Sequence, residues 1–407
     1  MHIVIVSYLF PPSNAIGGRR WSKLCLALKD TGNEITVVTT NANQNQQFYQ
    51  TEYTGISFVE LPNTYPEWMT GHTNSILDKL KYYFTVKFIS FFSKQNYFDK
   101  TFASKKHCIN TLKKIHSNKP IDVLICTGAP YSLLFYGALF KINYPTVKYI
   151  MDLRDPWTWC SYYGIPQMHR VKKMYQKYQE LYSIKQSDLV CFPTDYMGLV
   201  LKEKYPDFSN KFYLLPHAFD PKKFLISNSS INQKNGFIYG GTLYNGIEPY
   251  LKSLSKVLRN YPNSSFNWNI YSSKISSNIK SIFENQNVTF NDYIPESELF
   301  NKIQESAVYL MFYPIADKDL VSTKFFEIIN IGIPILYIGE EGEVSKFIVS
   351  NKCGVHILPK NIESEMPKYL NGDVPYQKNY FDVSQFTFDK VSHKFYTELK
   401  NRFFINI

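Results

Sequence analysis

The sequence predicts an α/β protein of two doubly wound parallel-sheet domains, on three observations. Short β-branched or aromatic runs alternate with helix-like segments, the rhythm of parallel strands joined by helical crossovers. That rhythm pauses at Pro216-His217-Ala218-Phe219-Asp220 and then restarts. At 407 residues the chain exceeds one ordinary core, and about 200 residues per domain is the natural division.

In the first half, strands are expected at His2 to Ser7, Glu34 to Thr40, Ile56 to Leu61, Ile121 to Cys126, Val147 to Asp152, Asp188 to Pro193 and Lys211 to Leu215. Helices are expected at Arg19 to Asp30, Thr101 to Ser117, Ser132 to Ile142 and His169 to Lys185. In the second half, strands are expected at Gly236 to Gly240, Phe266 to Tyr271, Val288 to Asn291, Ala307 to Tyr313, Ile333 to Ile338 and Gly354 to Leu358. Helical stretches at Glu248 to Asn260, Ile275 to Asn285, Glu296 to Ile303 and Glu343 to Ser350 lie between them. The expected domains are residues 1–218 and 219–383. Residues 384–407 form a terminal helix whose Phe388, Val391, Phe395, Leu399 and Phe403 recur at helical spacing, expected to dock back on the first domain.

Two segments depart from the rhythm. Ser227 to Asn235 is too polar to pack and reads as a loop. Lys79 to Lys100 interleaves Lys79, Lys81, Lys87, Lys94 and Lys100 with eight aromatic residues. It reads either as a basic amphipathic helix lying on a membrane surface or as a core helix with lysines on its solvent face.

Bulk properties narrow the function classes. Hydrophobic residues make up 44% of the chain, and no apolar run reaches the roughly 18 residues of a spanning helix. His2 to Phe10 lacks a basic leader and a cleavage site, so a first strand is expected there, in a cytoplasmic protein. The six cysteines show no metal or disulfide spacing, which fits reduced thiols filling a core. A net charge of +11 suits an anionic partner. No zinc-finger or RNP-like motif accompanies it, so nucleic acid is not an expected partner.

The stretch Asp319 to Pro334 carries the chemistry. Ser322 or Thr323 is a natural N-cap, Phe325, Phe326, Ile328, Ile329 and Ile331 fill the helix behind it, and Gly332 with Pro334 stops it. Backbone N–H groups, the positive helix end and the Lys324 ammonium together suit a phosphate, and Glu327 lies one turn on, placed for sugar hydroxyls. Two glycine pairs follow first strands. Gly17-Gly18 opens a helix with Arg19 and Arg20 and departs from G-x-G-x-x-G, which disfavours a dinucleotide dehydrogenase. Gly240-Gly241-Thr242 ends the first strand of the second domain. Asp152-Leu153-Arg154-Asp155-Pro156-Trp157 stands at a strand's carboxyl end, where open sheets place their sites, although Arg154 and Asp155 also suit a local ion pair. His217 is a further candidate near the domain junction, beside a purely structural reading.

In this order the motifs resemble the retaining glycosyltransferases of family four, whose GT-B fold has two Rossmann-like domains facing across a cleft. The resemblance spans nearly the whole chain. It implies transfer of a hexosyl-type sugar from a nucleotide diphosphate sugar to a hydroxyl of a glycan or lipid-linked acceptor, with retention of configuration and no metal or other cofactor. Asp319 and Glu327 match the family's Glu-x7-Glu element, implying a donor-sugar contact, one methylene shorter, and a ribose contact. The family's Arg-x4-Lys after the second glycine loop has no counterpart, and Lys324 is the substitute cation. Arg154 stands where many relatives have histidine. The implied donor set is Gly17, Gly18, Gly240, Gly241, Thr242, Asp319, Ser322, Thr323, Lys324 and Glu327. Arg19, Arg20 and Arg154 are acceptor candidates, and Lys324, Asp152 and Asp155 catalytic ones. A sugar-nucleotide 2-epimerase and a binding module without catalysis share this architecture and stand as alternatives. A membrane contact through residues 79–100 would place the protein at the inner face of the cell membrane.

Overall fold

The computed structural model describes residues 1–12, 16–40, 42–62, 67–70, 75–93, 99–159, 165–221, 236–241, 243, 246–272, 275–315, 318 and 320–404. The chain divides into one unit of Met1–Pro216 with Phe388–Ile407, and a second of His217–Thr387.

In the first unit the strands are β1 (His2–Val6), β2 (Glu34–Thr39), β3 (Ile56–Glu60), β4 (Val123–Gly128), β5 (Lys148–Leu153), β6 (Leu189–Phe192) and β7 (Phe212–Leu214). All pair in parallel, in the order β3-β2-β1-β4-β5-β6-β7. The central strands are buried on both faces, which is why they read as continuous apolar runs rather than alternating ones. Its helices are α1 (Ile16–Asp30), α2 (Gln46–Glu52), α3 (Glu67–Thr70), α4 (Ile76–Ser93), α5 (Lys105–Asn118), α6 (Ser132–Asn143), α7 (Arg170–Gln186) and α8 (Asp195–Lys204). Helix α8 went unread in the sequence, although Thr194 caps it by accepting the Met197 amide.

The second unit carries β8 (Phe237–Gly240), β9 (Trp268–Tyr271), β10 (Val288–Asn291), β11 (Val308–Phe312), β12 (Ile335–Ile338) and β13 (Gly354–Ile357), parallel and ordered β10-β9-β8-β11-β12-β13. Its helices are α9 (Glu248–Asn260), α10 (Ser277–Ile282), α11 (Glu296–Glu305), α12 (Thr323–Ile331), α13 (Glu343–Ser350) and α14 (Ile362–Glu365).

The terminal helix α15 (Phe388–Phe403) packs on α1, its buried Phe395 edge-on to Trp21 at 6.0 Å. The junction lies a few residues away from the boundary at 383 because the turn at Val383–Phe386 belongs to the second unit. Phe386 sits on Phe326 at 4.6 Å, and its carbonyl accepts the Phe219 amide at 3.0 Å. The five described cysteines are free and buried. No described helix is long and apolar enough to cross a membrane.

Candidate functional site

In a doubly wound sheet, ligands bind beyond the carboxyl ends of the strands at the point where strand order reverses. In the second unit that point lies between β8 and β11, which pair through Phe237 with Val308 and Ile238 with Tyr309. The chain leaves β8 through Gly240 and Gly241, and leaves β11 towards α12.

Lys324, in the first turn of α12, reaches back across the switch point, and its Nζ donates to the Gly240 carbonyl at 2.6 Å. Gly241 has φ +143°, a conformation that L side chains rarely adopt. A Cβ there would lie 2.5 Å from Lys324 Nζ, so a larger residue would displace the ammonium. The Tyr309 hydroxyl donates to the same carbonyl at 3.0 Å, holding the glycine turn from below. The structure therefore gathers Gly240, Gly241 and Lys324 at one place.

Helix α12 forms because Phe325, Phe326, Ile328 and Ile329 are buried and because Gly332 turns left-handed (φ 77°) ahead of Pro334. Ser322 occupies the N-cap position, but its hydroxyl makes no cap bond. It accepts instead from the Tyr313 hydroxyl at 2.8 Å, which corrects the capping role read from the sequence. Thr323 opens the helix, and Glu327 is half-buried one turn on from Lys324. Thr242 and Asp319 lie outside the described residues. Tyr309 and Tyr313 were missed in the sequence. The available signal was a tyrosine in an apolar run, since a buried phenol needs a hydrogen-bond partner.

The first unit places its predicted residues differently. Asp152 is 0% exposed and Arg20 2%, and their charged groups pair at 3.3 Å. Asp152 also accepts from Trp21 Nε1 at 2.7 Å and Thr127 Oγ1 at 2.9 Å, while Arg20 donates to the Leu215 carbonyl at 2.6 Å. The pair ties α1 to β4, β5 and the chain after β7, and so sits in the unit's interior rather than at an open acceptor surface. Gly18 owes its identity to packing: a Cβ would meet the Leu9 carbonyl oxygen at 2.8 Å and Phe10 Cα at 2.9 Å. Gly17 lies beside it in the first turn of α1, and Arg19 is half-buried. Arg154 and Asp155 are half-buried after β5, with Arg154 Nε donating to Asp155 Oδ2 at 3.2 Å, the local ion pair of the second reading. His217 is buried.

The turn bearing Arg154 and Asp155 has an anchor that the sequence did not reveal. Glu180 of α7, 0% exposed, accepts from Thr158 Oγ1 at 2.6 Å, Lys204 Nζ at 2.9 Å and the Tyr205 hydroxyl at 2.5 Å. Burial first, and then the Glu180 charge, push the Tyr205 phenol far above its ordinary range. Among the described residues no cluster of three or more His, Cys, Asp or Glu forms a metal site.

Neither a protein-family model nor a curated protein matches the sequence. Solved structures do match the fold along its whole length. A glycosyltransferase from Rickettsia africae aligns with a TM-score of 0.65 at 11% identity, over 99% of this chain and 99% of that one. An E. coli trehalose-6-phosphate protein bound with UDP-2-fluoro glucose aligns at 0.63 and 11%, over 98% and 99%. The UDP-GlcNAc 2-epimerase of Neisseria meningitidis bound to UDP-GlcNAc aligns at 0.56 and 13%, over 98% and 100%. The fold is GT-B. At these identities the GT-B likeness concerns architecture alone, and transferases and epimerases both use it.

Proposed function

We propose that the chain is a glycosyltransferase that moves a sugar from a nucleotide diphosphate sugar to a hydroxyl of a glycan or lipid-linked acceptor, with retention of configuration. The observation that carries this reading is the Lys324 contact with Gly240, which joins a glycine turn to a helix N-terminus at the switch point of a GT-B unit. The donor's diphosphate lies at that turn. The first amides of α12, the positive helix end and the Lys324 ammonium stabilise the negative charge that builds on the leaving diphosphate. Glu327 accepts ribose hydroxyls, and Asp319 and Thr242 complete the donor side. Gly17 belongs with the donor set, while Arg19 and Arg154 serve the acceptor side, with Asp155 as the remaining catalytic carboxylate there. Asp152 and Arg20 hold α1 in place. No metal or other cofactor enters the reaction.

The membrane part of the reading rests on α4. Its Ile76, Leu77, Leu80, Tyr83, Phe84 and Phe88 are exposed rather than packed, beside exposed Lys79, Lys81 and Lys87. Such a surface suits acidic headgroups and would bring a lipid-linked acceptor within reach.

A thermal-shift series with nucleotides and nucleotide sugars tests the donor site, since a ligand that binds only the folded state raises the melting temperature with its concentration. At least one nucleotide sugar is expected to do so, and Glu327→Ala to weaken it. A panel of uridine, guanosine, adenosine and thymidine diphosphate sugars without any shift would overturn the reading. The second reading, a sugar-nucleotide 2-epimerase, has in its favour the epimerase among the matching folds. NMR of the donor incubated alone separates the two: a transferase leaves the C2 configuration unchanged, whereas an epimerase inverts it.

A further inference from the structure

Helix α7 is amphipathic in the unusual sense. Its inward side is largely polar: Gln176 accepts from Trp157 Nε1 at 2.7 Å, Gln179 and Ser183 are buried, and Glu180 anchors Thr158, with Ile184 the apolar exception. Its outward side carries Val171, Met174, Tyr175, Tyr178 and Leu181 at i, i+3, i+4, i+7 and i+10, one stripe along the helix. These side chains are 43% to 68% exposed, where a surface helix ordinarily turns its polar face outward.

The charges bordering the stripe have one sign. Arg170, Lys172 and Lys177 are exposed, Lys185 is exposed in line with the stripe at its C-terminal end, and Lys173 is half-buried with its Nζ on the Pro166 carbonyl at 3.1 Å. The helix's single acid, Glu180, is buried and paired with Lys204. Helical geometry sets Arg170 and Lys177 along one margin of the stripe and Lys172 along the other. A second copy docking through this face would bring cations against cations. A bilayer with acidic headgroups answers both features, taking the apolar stripe at the acyl boundary and the cations among the phosphates, with tyrosines suited to the interface between.

We propose that α7 lies in the surface of an acidic lipid bilayer, Val171, Met174, Tyr178 and Leu181 entering the acyl boundary and Arg170, Lys172 and Lys177 meeting the headgroups. This shares its partner with the membrane part of the proposed function but depends neither on α4 nor on the transfer chemistry.

The test is partitioning of the full chain onto vesicles of phosphatidylcholine, alone or mixed with phosphatidylglycerol. Binding is expected only to the mixed vesicles. At about 1 kcal/mol per cation near an acidic surface, Arg170→Gln/Lys172→Gln/Lys177→Gln is expected to lower the partition coefficient by roughly a hundredfold. Val171→Ser/Met174→Ser/Leu181→Ser is expected to lower it at least tenfold, because each buried CH2 contributes about 0.8 kcal/mol. Met174→Trp places a reporter at an exposed site, so folding is retained, and its emission is expected to shift to the blue on the mixed vesicles and to be quenched by brominated acyl chains. The proposal is overturned by undiminished binding in both triple variants, by loss of binding only in Lys79→Gln/Lys81→Gln of α4, by a Met174→Trp emission indifferent to vesicles, or by self-association through this face without partitioning. The transfer reading fails separately, through absence of nucleotide release with water-soluble acceptors.

Discussion

Replacing Gly241 with alanine perturbs the second unit at its switch point in two ways that can be separated. The first is backbone strain: φ +143° suits glycine, and an L residue held there costs about 1–3 kcal/mol. The second runs through Lys324. The new Cβ would lie 2.5 Å from Nζ, and restoring an ordinary contact of about 3.5 Å moves the ammonium by about 1 Å. Since Nζ stands 2.6 Å from the Gly240 carbonyl oxygen, that displacement carries the bond beyond the roughly 3.2 Å at which it holds. A hydrogen bond from a charged donor contributes about 1.5–3 kcal/mol, and half-burial of Lys324 places this one at the lower end. Gly241→Ala is therefore expected to cost about 2.5–4.5 kcal/mol, and Lys324→Met, which removes the bond and leaves the backbone alone, about 1.5 kcal/mol. Because both remove the same bond, the double variant is expected to fall short of the sum by about 1.5 kcal/mol. Hydrogen exchange of peptides from β8 and α12, followed across a urea series, reads the second unit by itself, which matters in a chain of two units. Additivity within about 0.5 kcal/mol would refute the coupling between Gly241 and Lys324.

Three further outcomes follow from the same structure. Asp152→Asn removes the carboxylate charge that pairs with the buried Arg20 guanidinium and is expected to destabilise the first unit by about 3–5 kcal/mol, and a urea midpoint unchanged from the parent would dispose of the buried pair. Burial pushes the Cys108 and Cys353 thiols up to about 12 and those of Cys25, Cys126 and Cys191 still further, so at most one thiol per native chain, Cys160, should react rapidly with Ellman's reagent at pH 8, against all six after unfolding. Burial also raises the Tyr8, Tyr49 and Tyr213 phenols to about 12. The unfolded chain then releases protons that the native one keeps, so the stability these groups contribute is complete below pH 10 and is lost as pH rises through about 12. Spectrophotometric titration should show that part of the tyrosine absorbance change appearing late in the native protein and near pH 10 in denaturant.

The described strands and the two-part rhythm were legible in the sequence because the central strands of a parallel sheet, buried on both faces, must be apolar along their whole length, and the half-buried edge strands still carry β-branched and aromatic residues, patterns that need no knowledge of partners. Helix α12 was legible for a similar reason: its burial, its stop at Gly332 and its place after a strand are all local. Its cap was not. Whether Ser322 caps the helix or accepts from Tyr313 depends on a side chain nine residues away, delivered by the end of β11. The same limit separates Asp152 from Asp155. Both stand among charged neighbours at a strand end, yet one side chain points into the sheet–helix interior beside Arg20, Trp21 and Thr127, and the other remains half-exposed. Sequence determined which segments bury themselves and where the glycine turns fall. Only the tertiary structure decided which polar atoms meet, because hydrogen bonds and ion pairs are set by angströms between residues far apart in the chain, as Lys324 and Gly240 are.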